Sequence, residues 1–139
     1  MAKITVPRGI RNNNPGNIRK STSQWLGKIE GKDEEFETFD TATHGIRALA
    51  ALLLVYQRKY SLRTVHEIIS RWAPGTENNT EMYIKHVCFL TGFLSDQRLT
   101  LNSFSTLLKL VKAIIRHENG IMPYSEKQLD EALYAALGV

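Results

Sequence analysis

The chain has 139 residues, of which 42% are hydrophobic and 23% charged, and this composition excludes disordered and fibrous proteins. Its formal net charge of +4 favours an anionic partner, such as nucleic acid, a membrane surface or the acidic polymers of a bacterial wall. The length is enough for one continuous hydrophobic core, so we expect one domain over residues 1–139.

Targeting signals and disulfides are not predicted. The longest apolar stretch, Ala48–Tyr56, is far too short to cross a membrane, and residues 1–10 contain no apolar run of signal-peptide length. The one cysteine, Cys88, follows helical spacing with its apolar neighbours, which indicates an inert thiol packed in a core. We therefore expect synthesis in the cytoplasm, no membrane insertion and no intramolecular disulfide.

The first third of the chain has the composition of a small β-lobe. Asn, Gly, Ser and Thr are frequent between Arg11 and Lys32, and Pro15-Gly16 interrupts the segment. Such a composition is typical of turns that join short strands. We predict strands near residues 17–20, 26–30 and 35–39.

Helices are predicted over most of the remaining chain, each with a polar residue at its start and an apolar stripe at i, i+3, i+4 spacing. Asn78, followed three residues later by Glu81, is a capping arrangement of this kind. The predicted starts are Asp40 or Thr41, Thr64, Asn78, Asn102 or Ser103, and Ser125, with ends near Lys59, Trp72, Thr91, Asn119 and Leu137. The predicted fold class is therefore α+β, mainly α, with a β-hairpin lobe on a bundle of about five helices.

Glu118 is the most informative carboxylate in the sequence. It stands in the last turn of the most apolar helix, directly before the Asn119-Gly120 stop. Partial burial beside the core and the nearby helix C-terminus both disfavour its ionised form, which is what a general acid near neutral pH requires. The alternative interpretation is a solvated glutamate at a helix end. We predict a catalytic acid.

A second catalytic group could come from Glu35, Glu37 or Asp40 on the hairpin, or from Glu77 after the second predicted helix. Each has a structural alternative, since Glu35 and Glu37 also suit a strand face and the other two suit positions at or near helix starts. The sequence leaves these alternatives open.

Several other side chains suit a carbohydrate substrate. Aromatic rings stack on sugar faces, and amides hydrogen-bond acetamido groups, although aromatic core and turn-forming asparagine are the ordinary interpretations of the same residue types. The predicted substrate-binding residues are Asn14, Asn17, Trp25, Asn78, Thr80 and Tyr83, with Trp72 as a further stacking candidate.

Metal and cofactor chemistry is not predicted. The pairs His66-Glu67 and His117-Glu118 invite comparison with the zinc-protease helix motif, but neither has a second histidine at the required spacing. The other histidines are isolated, and one cysteine cannot build a ligand cluster of standard spacing. Phosphate-binding loops and serine-hydrolase elbows are also missing from the sequence.

Several segments, in one order along most of the chain, together resemble a family of small phage lysis proteins, the endolysins and virion-associated wall-degrading proteins. They include residues 11–19 (RNNNPGNIR), 25–27 (WLG), 36–40 (FETFD), 45–48 (GIRA), 68–74 (IISRWAP), 77–80 (ENNT) and 114–120 (IIRHENG). The wider lysozyme and lytic-transglycosylase superfamily places its catalytic glutamate at a helix end, usually just before the β-lobe. Here the segments that resemble the lobe come first, and a circular permutation would reconcile the order.

The resemblance implies a lysozyme-like peptidoglycan hydrolase that needs no cofactor and acts as a monomer. Glu118 would protonate the oxygen between N-acetylmuramic acid and N-acetylglucosamine, and water or the muramic 6-hydroxyl would complete the reaction as in a lysozyme or a lytic transglycosylase. Such a protein would stay in the host cytoplasm until released to the periplasm and cell wall, or would be carried in the virion.

Two other function classes are compatible with parts of the sequence. A lysozyme-fold endopeptidase would cut the peptide cross-links of the same wall. A basic nucleic-acid-binding helical protein would use Lys109, Lys112 and Arg116 along one helix side, but the chain has no long basic run. We therefore expect peptidoglycan, and not nucleic acid, as the partner.

Overall fold

The computed structural model of the protein describes residues 5–75 and 79–138. Within these ranges, helices form most of the ordered structure and the strands are very short. The elements are α1 (Arg8–Arg11), β1 (Lys28–Ile29), β2 (Thr38–Phe39), α2 (Ala42–Tyr60), α3 (Val65–Trp72), α4 (Thr80–Thr91), α5 (Phe104–Asn119) and α6 (Glu126–Leu137). The predicted mainly helical α+β class is confirmed. None of the helices in the described ranges is both long and apolar enough to span a membrane.

Local capping chemistry explains where the longer helices begin. The Thr41 side chain accepts the His44 amide at the start of α2, and Ser125 does the same for Gln128 at the start of α6. Thr64 and Glu67 form a reciprocal capping box at the start of α3. The predicted starts of these three helices are confirmed.

The predicted cap of α4 was wrong by one residue. Asn79, not Asn78, is the N-cap, and its side chain accepts the backbone amide of Met82. Two adjacent asparagines offer the same capping chemistry, so the sequence could not choose between them.

The β-lobe is smaller than predicted. β1 and β2 pair antiparallel, with Lys28 opposite Phe39, while the predicted strand at 17–20 is reduced to one bridge between Arg19 and Phe36. The sequence prediction also missed α1, which is a single turn ending in Asn12. Such a short helix has no apolar period from which it could be recognised.

Two hydrophobic clusters form the interior. The larger one takes residues from each of the helices α2, α3, α4, α5 and α6. The smaller one consists of Ile18, Phe39 and Ala48 beneath the β-lobe. Leu52 and Trp72 pack against both clusters. The junction of the lobe with α2 and α3 is therefore continuous, and a cleft opens beside it.

A segment of consecutive turns, residues 12–17 and here called the asparagine loop, joins α1 to the β-lobe. The Asn14 side chain is fully buried; its amide donates to the carbonyls of Ile18 and Glu37, and its oxygen accepts the Ile18 amide. The Asn13 side chain donates to the carbonyl of Phe39. These bonds satisfy backbone groups that the lobe would otherwise bury without partners.

The other side of the asparagine loop rests on helices α2 and α5. Asn119, buried at the end of α5, donates to the Pro15 carbonyl at 2.8 Å. The Asn13 carbonyl lies directly against Gly45 of α2, at a place where no side chain fits. The loop is thus held by the lobe, by α2 and by α5.

We predict that Gly45→Ala lowers the free energy of unfolding by about 1–3 kcal/mol, because the added Cβ would overlap the Asn13 carbonyl oxygen. Urea denaturation followed by circular dichroism measures the change. Gly75→Ala is the matched control, since its Cβ would come no closer than 3.7 Å to Thr80 Oγ1. Equal stability of the two variants would contradict this account of the loop.

Candidate functional site

A cleft of about 390 Å³ lies between the β-lobe and helices α2, α3 and α5. Its walls come from parts of the chain that are distant in sequence. The lining residues are Asn17, Ile18, Arg19, Ser21, Ser23, Trp25, Phe36, Leu52, Tyr56, Arg71, Trp72, Ala73, Pro74 and Glu118. Four of the residues singled out in the sequence therefore share one cleft: Asn17, Trp25, Trp72 and Glu118.

Glu118 is held in the cleft by two hydrogen bonds. The side-chain amide of Asn17 donates to Oε1 at 2.8 Å, and the Tyr83 hydroxyl donates to Oε2 at 2.8 Å. Asn17 has φ of 50°, a left-handed conformation that asparagine tolerates better than most residues. Each carboxyl oxygen thus has one donor in fixed geometry.

Burial raises the pKa of Glu118 above its usual value of 4.5, and the bonds from Asn17 and Tyr83 offset part of that rise. The net effect is that Glu118 stays protonated to a higher pH than a solvated glutamate does. The pKa of Tyr83 is raised well above 10.0, mainly by burial and further by the charge of Glu118. The Tyr83 hydroxyl therefore stays protonated and remains a donor.

Behind Tyr83 lies a pair of histidines that the sequence analysis did not connect to the site. The His117 ring stacks on Tyr83 with centroids 3.6 Å apart, and its Nδ1 lies 2.9 Å from Nδ1 of His86. Burial lowers the pKa of His117, and the electrostatic interaction with His86 lowers it further, so the neutral ring is favoured. The stacked His117 ring therefore supports the phenol that contacts Glu118.

Aromatic rings line the cleft on both sides. Trp25 and Trp72, one from the β-lobe and one from α3, are half-buried and pack against the small cluster between them. Tyr56 meets Trp72 edge to face, with centroids 5.9 Å apart. Exposed edges and faces of this kind suit a ligand with apolar faces and polar rims, such as a pyranose ring.

Two arginines complete the cleft, and their surroundings differ. Arg19 lies over the Phe36 ring and within 3.6 Å of the Glu35 carboxylate. The Arg71 guanidinium lies over the Tyr60 ring at 3.8 Å and over Tyr56 at 5.4 Å. The described lining of the cleft therefore combines the Glu118 carboxyl with positive charge and aromatic surface.

The structure does not bring Glu37 and Asp40 into the cleft. Glu37 is buried under the β-lobe, and its Oε2 pairs with Lys28 Nζ at 3.1 Å. Asp40 lies at the surface, where a 2.6 Å contact with His44 lowers its pKa. Both carboxylates have structural partners, and their catalytic assignments stay predictions without support from the geometry.

Of the remaining predicted residues, three have structural contacts outside the cleft lining and two lie outside the described residues. Asn14 is enclosed in the asparagine loop, and Thr80 donates its hydroxyl to the Ala73 carbonyl at 2.6 Å, which links the start of α4 to the end of α3. Tyr83 is buried and contacts Glu118 instead of lining the cleft. Glu77 and Asn78 lie outside the described residues.

Sequence reasoning missed Tyr56 and Arg71 as cleft residues. Tyr56 belongs to the apolar stripe of α2, so its pattern is that of a core residue, and Arg71 is one of many exposed basic residues on helices. A single sequence holds no local signal that would have placed either residue in a cleft.

The structure offers no grouping of three His, Cys, Asp or Glu side chains for a metal ion within residues 5–75 and 79–138. Cys88 packs partly buried against the core, and burial raises the pKa of its thiol.

Comparison with known proteins identifies a phage relative. No protein-family model matches the chain. Protein P5 of Pseudoalteromonas phage PM2 is 42% identical over 126 residues, which cover 88% of this chain and 77% of that protein. The similarity therefore includes most of both chains.

We predict that Glu118→Gln becomes progressively more stable than the wild type as the pH rises. Below the usual glutamate pKa, residue 118 is neutral in both variants and in both the folded and unfolded states. As the pH rises through the raised pKa of the folded protein, the wild type must bury a charge that glutamine lacks. Thermal melts from pH 4 to 8 measure the difference in Tm.

The control for this prediction is Glu131→Gln, at an exposed position of α6. Its Tm difference from the wild type should stay nearly constant over the same range. A Glu118→Gln difference that stays constant or falls with pH would contradict the burial of that carboxyl.

Proposed function

The chain belongs to the family of Protein P5 of Pseudoalteromonas phage PM2, and we propose that it is a phage enzyme that cleaves the glycan strands of peptidoglycan. The bond cut is the one between N-acetylmuramic acid and N-acetylglucosamine. The observation that carries the proposal is a partly buried glutamate, Glu118, held by two donors in a cleft with aromatic walls.

Glu118 has the properties of a general acid. Its raised pKa keeps a fraction of the carboxyl protonated at higher pH than a solvated glutamate would be, so a proton is available for a leaving sugar oxygen. Tyr83 and Asn17 stabilise the carboxylate that remains after the transfer.

Glu118 alone could support a lytic transglycosylase, whereas a hydrolase would ordinarily need a second carboxylate. Glu118 is the one carboxyl among the described residues that line the cleft. Glycoside hydrolases ordinarily place a second carboxylate about 5–5.5 Å away for retention or roughly 6.5–9.5 Å for inversion. Intramolecular attack needs one group: Glu118 protonates the leaving glucosamine oxygen, then accepts the proton of the muramic 6-hydroxyl as that oxygen bonds to the anomeric carbon.

The walls of the cleft suit the substrate. Trp25 and Trp72 provide surfaces for sugar faces, and the arginines give the cleft a positive charge that matches an acidic wall polymer. The glutamate at the end of α5, beside a small β-lobe, is the arrangement that the lysozyme-like resemblance implies, in permuted order. A wall-cleaving phage protein acts either at release from the host or from the virion at entry.

We expect Glu118→Gln to lower the rate of turbidity loss of purified sacculi at least about 100-fold, because it removes the proton donor while keeping the side-chain shape. Glu131→Gln, which removes an exposed carboxyl outside the cleft, should retain wild-type activity. Full activity of a folded Glu118→Gln variant would refute the assignment.

The products of the wild-type reaction decide the chemistry. Mass spectrometry of the released fragments should find 1,6-anhydromuramic ends, the product of intramolecular attack. Reducing muramic ends would indicate hydrolysis and would direct mutagenesis to Glu77 as a second carboxylate. Intact disaccharides with severed stem peptides would replace the glycosidase by an endopeptidase.

Tyr83→Phe should move the alkaline limb of the pH–activity profile to higher pH. The Tyr83 hydroxyl donates to the ionised carboxyl and so lowers the pKa of Glu118; without it the acid stays protonated further up the pH scale. The initial rate of sacculus digestion between pH 4 and 9 measures the shift. Tyr134→Phe, at an exposed ring of α6, is the matched control. A limb that moves to lower pH would contradict the role of this bond.

A further inference from the structure

The Arg71 side chain occupies an unusual position for an exposed arginine. Its guanidinium lies 3.8 Å from the centre of the Tyr60 ring, and Tyr60 in turn contacts Tyr56 edge to face at 6.5 Å. Arg71 also interacts with the Tyr56 hydroxyl, which offsets part of the rise that burial causes in the pKa of Tyr56. Aromatic contacts therefore fix the arginine at the cleft wall.

The charge of Arg71 is not matched by a carboxylate among residues 5–75 and 79–138. The described ion pairs involve other cations, including Arg8 with Asp33 and Lys28 with Glu37. A guanidinium that stacks through its face keeps its in-plane N–H groups directed outward, and these groups match the two oxygens of a carboxylate. Arg71 is thus preorganised for an anion in the cleft.

We propose that Arg71 binds a carboxylate of the peptidoglycan strand while Glu118 acts on the glycan, so that the cleft selects peptidoglycan over uncharged chitin. This inference rests on the proposed function, because it assigns a substrate group to the same cleft. The stem peptide supplies carboxylates where it is attached, and the lactyl group of muramic acid supplies one where the peptide has been removed, whereas oligomers of N-acetylglucosamine have none.

The test compares three substrates. Intact sacculi carry stem-peptide carboxylates, amidase-stripped strands carry the lactyl carboxylate of muramic acid, and chitin oligosaccharides carry neither. We expect Arg71→Gln to raise KM for a carboxylate-bearing substrate at least about tenfold more than for chitin oligosaccharides. Arg71→Lys, which keeps the charge but loses the planar fork, should recover part of the loss.

The substrate pattern identifies which carboxylate is bound. A selective loss on sacculi supports a carboxylate of the stem peptide. A selective loss on stripped strands supports the lactyl carboxylate, which is tied up in the amide bond to the peptide in intact sacculi. A loss that is the same on chitin oligosaccharides overturns the proposal. Arg58→Gln, which removes a positive charge from an exposed site of α2 outside the cleft, should leave all three rates unchanged.

A binding measurement separates this inference from the proposed catalysis. In the Glu118→Gln background, a soluble disaccharide tripeptide is titrated by NMR with and without Arg71→Gln. Weaker binding after Arg71→Gln supports the subsite even if the wild type cleaves no glycan. Unchanged binding overturns the subsite, and cleavage by the wild type would then support the proposed function on its own.

Discussion

The requirement that buried backbone groups be hydrogen-bonded shapes the part of the molecule on which the cleft depends. The asparagine loop runs between α1, the β-lobe, α2 and α5, so its backbone and that of its neighbours lie largely away from water. Asn13 and Asn14 satisfy carbonyls of the lobe, and Asn119 satisfies Pro15 from the other side. Asparagine suits this place because one short side chain carries both a donor and an acceptor. The loop in turn sets Asn17 against Glu118.

The helices could be predicted closely from the sequence, whereas the β-lobe could not. Thr41, Thr64 and Ser125 act through neighbours three residues away, so their capping chemistry is visible in a short window. The lobe has only four residues in paired strands, and side chains of the asparagine loop supply much of its hydrogen bonding. Strand periodicity cannot reveal a structure that depends on such contacts.

Part of the candidate site follows from local sequence and part does not. Glu118 stands out because a carboxylate at the end of an apolar helix is unusual, and Trp25 because its residue type suits a sugar. Asn17, by contrast, was predicted to bind substrate, but its amide is bonded to Glu118. Tyr56, Tyr83 and His117 have the pattern of core or helix-surface residues, and only the packing of α2, α4 and α5 brings them towards the cleft. Long-range packing of this kind leaves no signature in one sequence.

The bond between Asn17 and Glu118 joins residues 101 positions apart. Closing a loop of that length has an entropic cost, so we expect this bond to form after more local contacts have been made. A nascent chain that has not yet emerged as far as α5 lacks Glu118 and therefore has no partner for the Asn17 amide. The proposed activity would require both segments, so chains that end before α5 would lack it.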